Sequence, residues 1–161
     1  MHNLEIERKF LVTDDSYKQL SVCRYDIVQG YICKEAGRTV RVRIRTEKSL
    51  AGGASAVQAF LTIKSKPAGD GLARFEWERE IDVSDAKQLL QMCLPRLLEK
   101  TRWIVPCADS SLKWEVDEFH GRKEGLVMAE IELEHEDQTF IKPSFIGNEV
   151  TGNPHYYNAN M

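Results

Sequence analysis

The sequence predicts an α+β domain built on eight antiparallel strands, and three observations carry that prediction. Seven of the eight expected strands alternate at period two between an apolar face and a charged face. Glycine-rich segments, Ser49-Leu50-Ala51-Gly52-Gly53-Ala54-Ser55 and Pro67-Ala68-Gly69-Asp70-Gly71, sit between strands as hairpin connections. Only two substantial helices are available as cover. Two architectures fit this pattern. An open sheet would bury its apolar face under the helices and show its charges to water. A closed barrel would turn the charges inward and be covered outside by helices and aromatic side chains. Two helices are little cover for eight strands in an open sheet, so the pattern favours the closed antiparallel barrel.

The elements follow in order. Strand 1 is expected over about 4–12, with Glu5, Glu7 and Lys9 on one face and Leu4, Ile6, Phe10 and Val12 on the other. Asp14 or Asp15 opens a short helix to about 22, with Tyr17 and Leu20 facing inward. Strand 2 runs over about 25–33. Strand 3, about 39–46, sets Arg41, Arg43 and Arg45 against Val40, Val42 and Ile44. Strand 4, about 57–66, sets Thr62, Lys64 and Lys66 against Leu61 and Ile63. Strand 5, about 73–83, places Arg74, Glu76, Glu78, Glu80 and Asp82 opposite Phe75, Trp77, Ile81 and Val83, with Arg79 the exception. Ser84 then caps a helix with Leu89, Leu90, Cys93 and Leu94 on its apolar face, stopping near Pro95. Strands 6, 7 and 8 are expected at about 99–107, 112–120 and 126–134. They pair Lys100 and Arg102 against Trp103 and Val105, Lys113, Glu115 and Asp117 against Leu112, Trp114 and Val116, and Glu130, Glu132 and Glu134 against Ala129, Ile131 and Leu133. A short helix near 136–141 and a polar tail complete a single domain of 161 residues.

Composition excludes several classes. A net charge of −3 gives no overall attraction to nucleic acid or to an anionic membrane surface. No apolar run approaches the roughly 18 residues of a membrane span, and the start MHNLEIERKF has no apolar signal core. Cys23, Cys33, Cys93 and Cys107 form no Cys-x-x-Cys pair, which argues against structural zinc and for reduced thiols in a cytoplasmic setting. His2, His120, His135 and His155 are equally dispersed.

The charged faces carry the chemistry. An eight-stranded barrel has room inside for its own side chains or one small ligand. Filling it with about eight acids (Glu5, Glu7, Glu76, Glu78, Glu115, Asp117, Glu130, Glu132) and about eight bases (Lys9, Arg41, Arg43, Lys64, Arg74, Lys100, Arg102, Lys113) is costly, because desolvating buried ions outruns their attraction unless pairing is excellent. A wet lumen that binds something highly charged resolves the conflict. Ligands that use both signs are polyphosphates with divalent cations: guanidinium and ammonium groups hold phosphate oxygens, and carboxylates hold the cation.

These residues resemble the triphosphate tunnel metalloenzymes, the CYTH superfamily that also includes class IV adenylyl cyclases and thiamine triphosphatases. The matching pieces run in order: Glu5-Ile6-Glu7-Arg8-Lys9, Val40-Arg41-Val42-Arg43, Leu61-Thr62-Ile63-Lys64, Arg74-Phe75-Glu76-Trp77-Glu78, Glu99-Lys100-Thr101-Arg102, Trp114-Glu115-Val116-Asp117 and Glu130-Ile131-Glu132. The tail, Phe145 to Thr151 and Tyr156-Tyr157-Asn158, also resembles the short bacterial members, some of which carry Lys where this chain has Tyr157. The resemblance implies that Lys9, Arg41, Arg43, Lys64, Arg74, Lys100 and Arg102 bind phosphate. It implies that Glu5, Glu7, Glu130 and Glu132, with Glu76, Glu78 and Asp117, form the acidic side that holds Mg2+ or Mn2+. Glu5, Glu7, Lys9, Lys64 and Glu132 would be the catalytic group. The implied reaction is metal-assisted hydrolysis of a triphosphate, inorganic tripolyphosphate first, to pyrophosphate and phosphate. A class IV-type cyclase, a nucleoside or thiamine triphosphatase, and a non-catalytic polyphosphate binder remain as alternatives. The implied partner is the small-molecule substrate, without nucleic acid or membrane, and a homodimer is left open.

Overall fold

The computed structural model describes residues 3–51 and 55–161; the Gly52-Gly53-Ala54 part of the expected first hairpin turn lies outside the described residues. The strands are β1 (Leu4–Val12), β2 (Cys23–Glu35), β3 (Arg38–Lys48), β4 (Val57–Ser65), β5 (Ala73–Ile81), β6 (Leu98–Pro106), β7 (Lys113–Phe119), β8 (Val127–Leu133) and β9 (Ile146–Glu149). Two α-helices, α1 (Tyr17–Leu20) and α2 (Val83–Gln91), and three 3-10 turns complete it. The strands run β5-β4-β3-β2-β6-β7-β8-β1-β9, and β5 also pairs with β1. Every pairing is antiparallel. Eight strands therefore close on themselves, with β1 as the closing stave: Leu4, Glu5 and Ile6 face β5, while Ile6 to Leu11 face β8.

The expected parity places the apolar residues outside. Ile6, Phe10, Trp103, Val105, Trp114, Val116, Ala129, Ile131 and Leu133 form one continuous cluster with Tyr17 of α1 and with Phe145. Its aromatic members meet edge to face, Phe10 on Trp114 at 5.5 Å and Tyr17 on Phe145 at 5.8 Å between centroids. On the opposite wall α2 lays Ala86, Leu89 and Leu90 over Val42, Ala59, Ile44 and Leu61. Its C-terminal end rests on the β2 backbone at Gly30, where an added Cβ would meet Cys93 and Leu97 at 2.8 Å. The sheet alone does not separate charge from water. Helices and the chain after β8 supply the second layer that the apolar outside requires.

Two expectations, both about helices, need correction, and the structure adds a ninth strand and an apolar end to the barrel. The helix near 136–141 does not form. Residues 135–137 turn, and the following segment is irregular because Phe140 is drawn into the Phe10–Trp114 cluster (6.2 and 5.5 Å) and Pro143 follows closely. A ninth strand, β9, pairs with β1 beyond the point where β5 leaves it. The cap of α2 is Asp82 rather than Ser84, and the helix stops at Gln91. The interior is also not charged throughout. At one end Leu11, Leu98, Phe119, Met128 and Leu126 pack with Tyr156 and Met161 of the tail into an apolar stopper.

Candidate active site

The inward faces enclose a cavity of about 760 Å3, within the range of small-molecule sites. Glu5, Glu7 and Lys9 from β1, Arg41 and Arg43 from β3, Lys64 from β4, Arg74, Glu76 and Glu78 from β5, Lys100 and Arg102 from β6, and Glu130 and Glu132 from β8 all line it. Strand pairing alone brings them together, since Glu5 faces Arg74, Lys64 faces Glu76, Arg102 faces Asp117, Lys9 faces Glu130 and Glu7 faces Glu132 as direct neighbours.

Asp117 is the one expected site residue absent from the wall. It lies beneath it, 1% exposed, with Oδ1 taking the Arg102 Nε (2.7 Å) and Oδ2 taking the Arg102 Nη2 (2.8 Å) and Lys100 Nζ (2.7 Å). Glu115 takes the remaining arm of Arg102. Burial would raise the Asp117 carboxyl, but Arg102 and Lys100 outweigh it and hold it low. Both its oxygens are occupied by cations, which disfavours the expected role as a metal ligand.

The acids of β1, β5 and β8 are held differently. Burial, then the charges of Glu130 and Glu5, push the Glu7 carboxyl up to about 8. Glu7 hydrogen-bonds Glu130, which is held well below its ordinary value by Lys9, Arg102 and Lys100 in spite of burial. Glu5 is sunk in the wall and accepts from Lys64 Nζ at 2.9 Å and from Arg74 Nε at 3.1 Å. Burial opposes its ionisation, yet Lys64, a hydrogen bond with Glu76 and Arg74 bring it down to about 2. Glu76 goes the other way, to about 7, by burial despite Lys64 at 3.1 Å. Glu132 is raised by burial and by Glu5 and Glu115. Two carboxyl–carboxyl contacts thus share protons, Glu7 with Glu130 and Glu5 with Glu76. This is the behaviour of acids gathered beyond the supply of nearby cations.

Among the described residues no three of these side chains are drawn tightly enough to ligate an ion as they stand. The donor set nevertheless fits a divalent cation. It is all oxygen, as hard cations require, and the shared protons are what such an ion displaces.

The cationic wall is less completely paired. Arg41 reaches Thr62 (3.1 Å) and Glu78 (3.4 Å) through Nη2, while its buried Nε–H has no partner. Arg43 donates from Nε and Nη2 to the amide oxygen of Gln29. Burial and the neighbouring Arg41 and Arg102 lower its guanidinium to about 9. Lys9 reaches the Tyr156 carbonyl at 3.2 Å and lies 5.6 Å from the Tyr157 ring, so the tail meets the basic side through Lys9 and not through an ammonium of its own. At one mouth Arg45 lies between the rings of Tyr25 (4.7 Å) and Phe60 (4.8 Å) and donates twice to Gln58. Sequence reading missed Gln29, a neutral residue whose only signal was inward parity on an uncharged strand face, and it named Asn158 in the tail motif without giving it a role.

A closed antiparallel tunnel with cations on one side and proton-sharing carboxylates on the other defines a class: domains that take up a small polyanion together with a metal ion. The chain belongs to the CYTH family, whose domain model matches residues 3–157. It is 42% identical over 159 residues to an inorganic triphosphatase of Acetivibrio thermocellus, covering 98% of this chain and 92% of that protein. It is 33% identical over 156 residues to an inorganic triphosphatase of Nitrosomonas europaea, covering 96% and 93%. A crystal structure of an inorganic triphosphatase superposes with a TM-score of 0.60 at 30% identity, covering 97% of this chain and 92% of that one. Membership implies a divalent metal ion. All four cysteines are free, and no helix among the described residues is long and apolar enough to cross a membrane.

Proposed function

We propose that this protein hydrolyses inorganic tripolyphosphate to pyrophosphate and phosphate, using Mg2+ or Mn2+. The observation that carries the reading is that one cavity is lined both by Arg41, Arg43 and Arg102 and by the cluster of Glu5, Glu7, Glu76, Glu130 and Glu132. A purely anion-binding tunnel has no use for Glu7, Glu130 and Glu132.

In this reading Arg41, Arg43 and Arg102 engage phosphate oxygens with planar forks, while Lys9, Lys64 and Lys100 act as point charges beside them. Arg74 bridges the walls through Glu5 and Glu7. Glu5, Glu7 and Glu132, with Glu130 beside them, would hold the divalent ion. When bound, the ion offsets phosphate charge and acidifies water. Glu76, with a pKa of about 7, is able to take a proton from an attacking water at neutral pH. The cationic wall stabilises charge that develops on the transferred phosphoryl group and on the leaving pyrophosphate. Asp117 orients Lys100 and Arg102.

The test is a matrix of substrates and metals: tripolyphosphate, ATP and thiamine triphosphate, each with Mg2+ or Mn2+, followed by phosphate and cyclic-AMP release. The proposal expects phosphate from tripolyphosphate at the highest kcat/KM and no cyclic product. Cyclic AMP from ATP would turn the reading to a cyclase, and binding without turnover would leave a polyphosphate-binding module.

A further inference from the structure

We infer that Gln29 is a positioning residue of the cationic wall: its neutral amide fixes the Arg43 guanidinium while leaving that guanidinium's charge available to a phosphate group. The inference rests on the triphosphatase reading and adds a residue and a physical reason to it.

The arginines of the tunnel are held in two ways. Arg102 lies on Asp117 and Glu115, and Arg41 lies on Glu78. Asp117 fixes the Arg102 fork through both its oxygens, Glu78 meets Arg41 through Nη2 alone, and each carboxylate offsets part of the charge it touches. Arg43 stands between them in no ion pair among the described residues. Its Nε and Nη2 both donate to the Oε1 of Gln29, at 3.0 and 2.9 Å. The two residues are direct cross-strand neighbours on β3 and β2. Gln29 has no solvent exposure, although Gln is a residue type mostly found exposed. Both N–H groups converge on one neutral oxygen, an end-on contact that aims the guanidinium without cancelling its charge.

The amide is itself fixed. Gln29 Nε2 donates to the Asn158 Oδ1 at 3.4 Å, and the same oxygen accepts from Lys100 Nζ at 2.8 Å. Turning the amide over would set NH2 against guanidinium and oxygen against oxygen, so the network admits one orientation. Arg43 is thereby held by a neutral oxygen from β2, while Lys100, already paired with Asp117, takes a second, neutral oxygen from the tail. An apolar side chain at 29 would leave two N–H donors of a buried guanidinium unpaired. A carboxylate would hold them and neutralise the group. Gln satisfies both demands from behind the cavity wall, on the strand that contributes Tyr25, Ile27 and Tyr31 to that wall.

The experiment compares Gln29→Glu with Gln29→Met in the full chain. Melting temperatures are measured with and without tripolyphosphate in the absence of metal, and steady-state kinetics with Mg2+. Gln29→Glu is expected to melt at or above the wild-type temperature, because a carboxylate relieves the crowding of Arg41, Arg43 and Arg102. It should nevertheless lose most of the shift given by metal-free tripolyphosphate and raise KM at least ~10-fold, the scale of one charge-assisted contact. Gln29→Met keeps the charge and frees the fork, so kcat should fall more than KM rises. KM and kcat of Gln29→Glu within about twofold of wild type would overturn the inference, as would equal losses in both variants tracking a common drop in melting temperature. A wild type that binds the anion without hydrolysing it would defeat the catalytic reading alone, since the Gln29→Glu loss of binding would stand. A wild type whose melting the anion does not move defeats both.

Discussion

Two ionic clusters share this barrel and are built on opposite principles. Around Asp117 acids and cations are paired: Lys100 and Arg102 converge on its two carboxylate oxygens at 2.7–2.8 Å and the acid is held low, although burial lowers the Lys100 ammonium to about 7. Around Glu7 the carboxyls of Glu5, Glu130 and Glu132 crowd one another, and Glu7 is pushed up to about 8. Matched ions with little solvent access hold a shape. Unmatched ions hold an unfavourable charge density that a ligand can relieve. The residue types are alike in the two places, so function follows from the ratio of acids to cations within reach.

The comparison can be broken most directly at Asp117. Asp117→Asn strands two buried cations and should cost about 3–5 kcal/mol of metal-free stability, read from denaturant unfolding. A loss of under 1 kcal/mol would erase the distinction between the clusters. Glu7→Gln should do the reverse, leaving metal-free stability unchanged or raised while lowering metal-dependent turnover at least ~10²-fold. Near-normal turnover with either metal would remove Glu7 from the acidic site. A smaller effect, about tenfold in tripolyphosphate kcat/KM, is expected for Arg41→Ala, with partial recovery in Arg41→Lys because an ammonium cannot copy the fork. Full recovery would show that Arg41 supplies charge alone.

The smallest effect is in pH. Glu7 and Glu76 have folded pKa values of about 8 and 7, above the ordinary 4.5, so the fold favours their protonated forms. Their contribution to stability is complete below about pH 4.5 and is lost as pH rises through 7 to 8. Glu5, at about 2, works in the opposite sense: its contribution is complete above about pH 4.5 and is lost only as pH falls toward 2. The metal-free protein should therefore melt lower at pH 8 than at pH 5.5, and Glu7→Gln should flatten that slope. Mg2+ with tripolyphosphate should release protons on binding, seen as a calorimetric heat that depends on buffer ionisation enthalpy. A metal-free melting temperature that rises from pH 5.5 to 8 would contradict the sharing of protons.

Much of this was legible in advance because strand parity is a strict rule. Once Arg41, Arg43, Glu76 and Glu130 occupy inward positions, closure of the barrel delivers them to one lumen. Parity does not give register. That Asp117 falls beside Arg102 and Lys100 and not toward Glu7 depends on how β6 slides against β7, a choice made by the apolar outer faces. β9 escaped notice because Ile146-Gly147-Asn148-Glu149 has neither length nor alternation, and it exists only through β1. The helix expected near 136–141 has a local pattern that loses to the burial of Phe140 beside Trp114. Gln29 was hidden by its neutrality, and Asn158, though part of the tail motif, received no role for the same reason, since a search for charge passes over the groups that aim it.

The closing stave has a kinetic consequence. β1 joins β8 and β5, so it pairs with strands from the far end and the middle of the chain, and the loop entropy of those contacts falls due before they return anything. During synthesis Leu4–Val12 emerges long before Val127–Leu133 and waits without its partner, an amphipathic edge open to other strands. Glu5, Glu7 and Lys9 ride on that stave, so under the proposed site turnover is expected to begin only when the last seam has closed. Regain of activity during refolding is thus a clock for barrel closure, expected to lag behind the α2-covered β2–β4 hairpins, whose contacts are local.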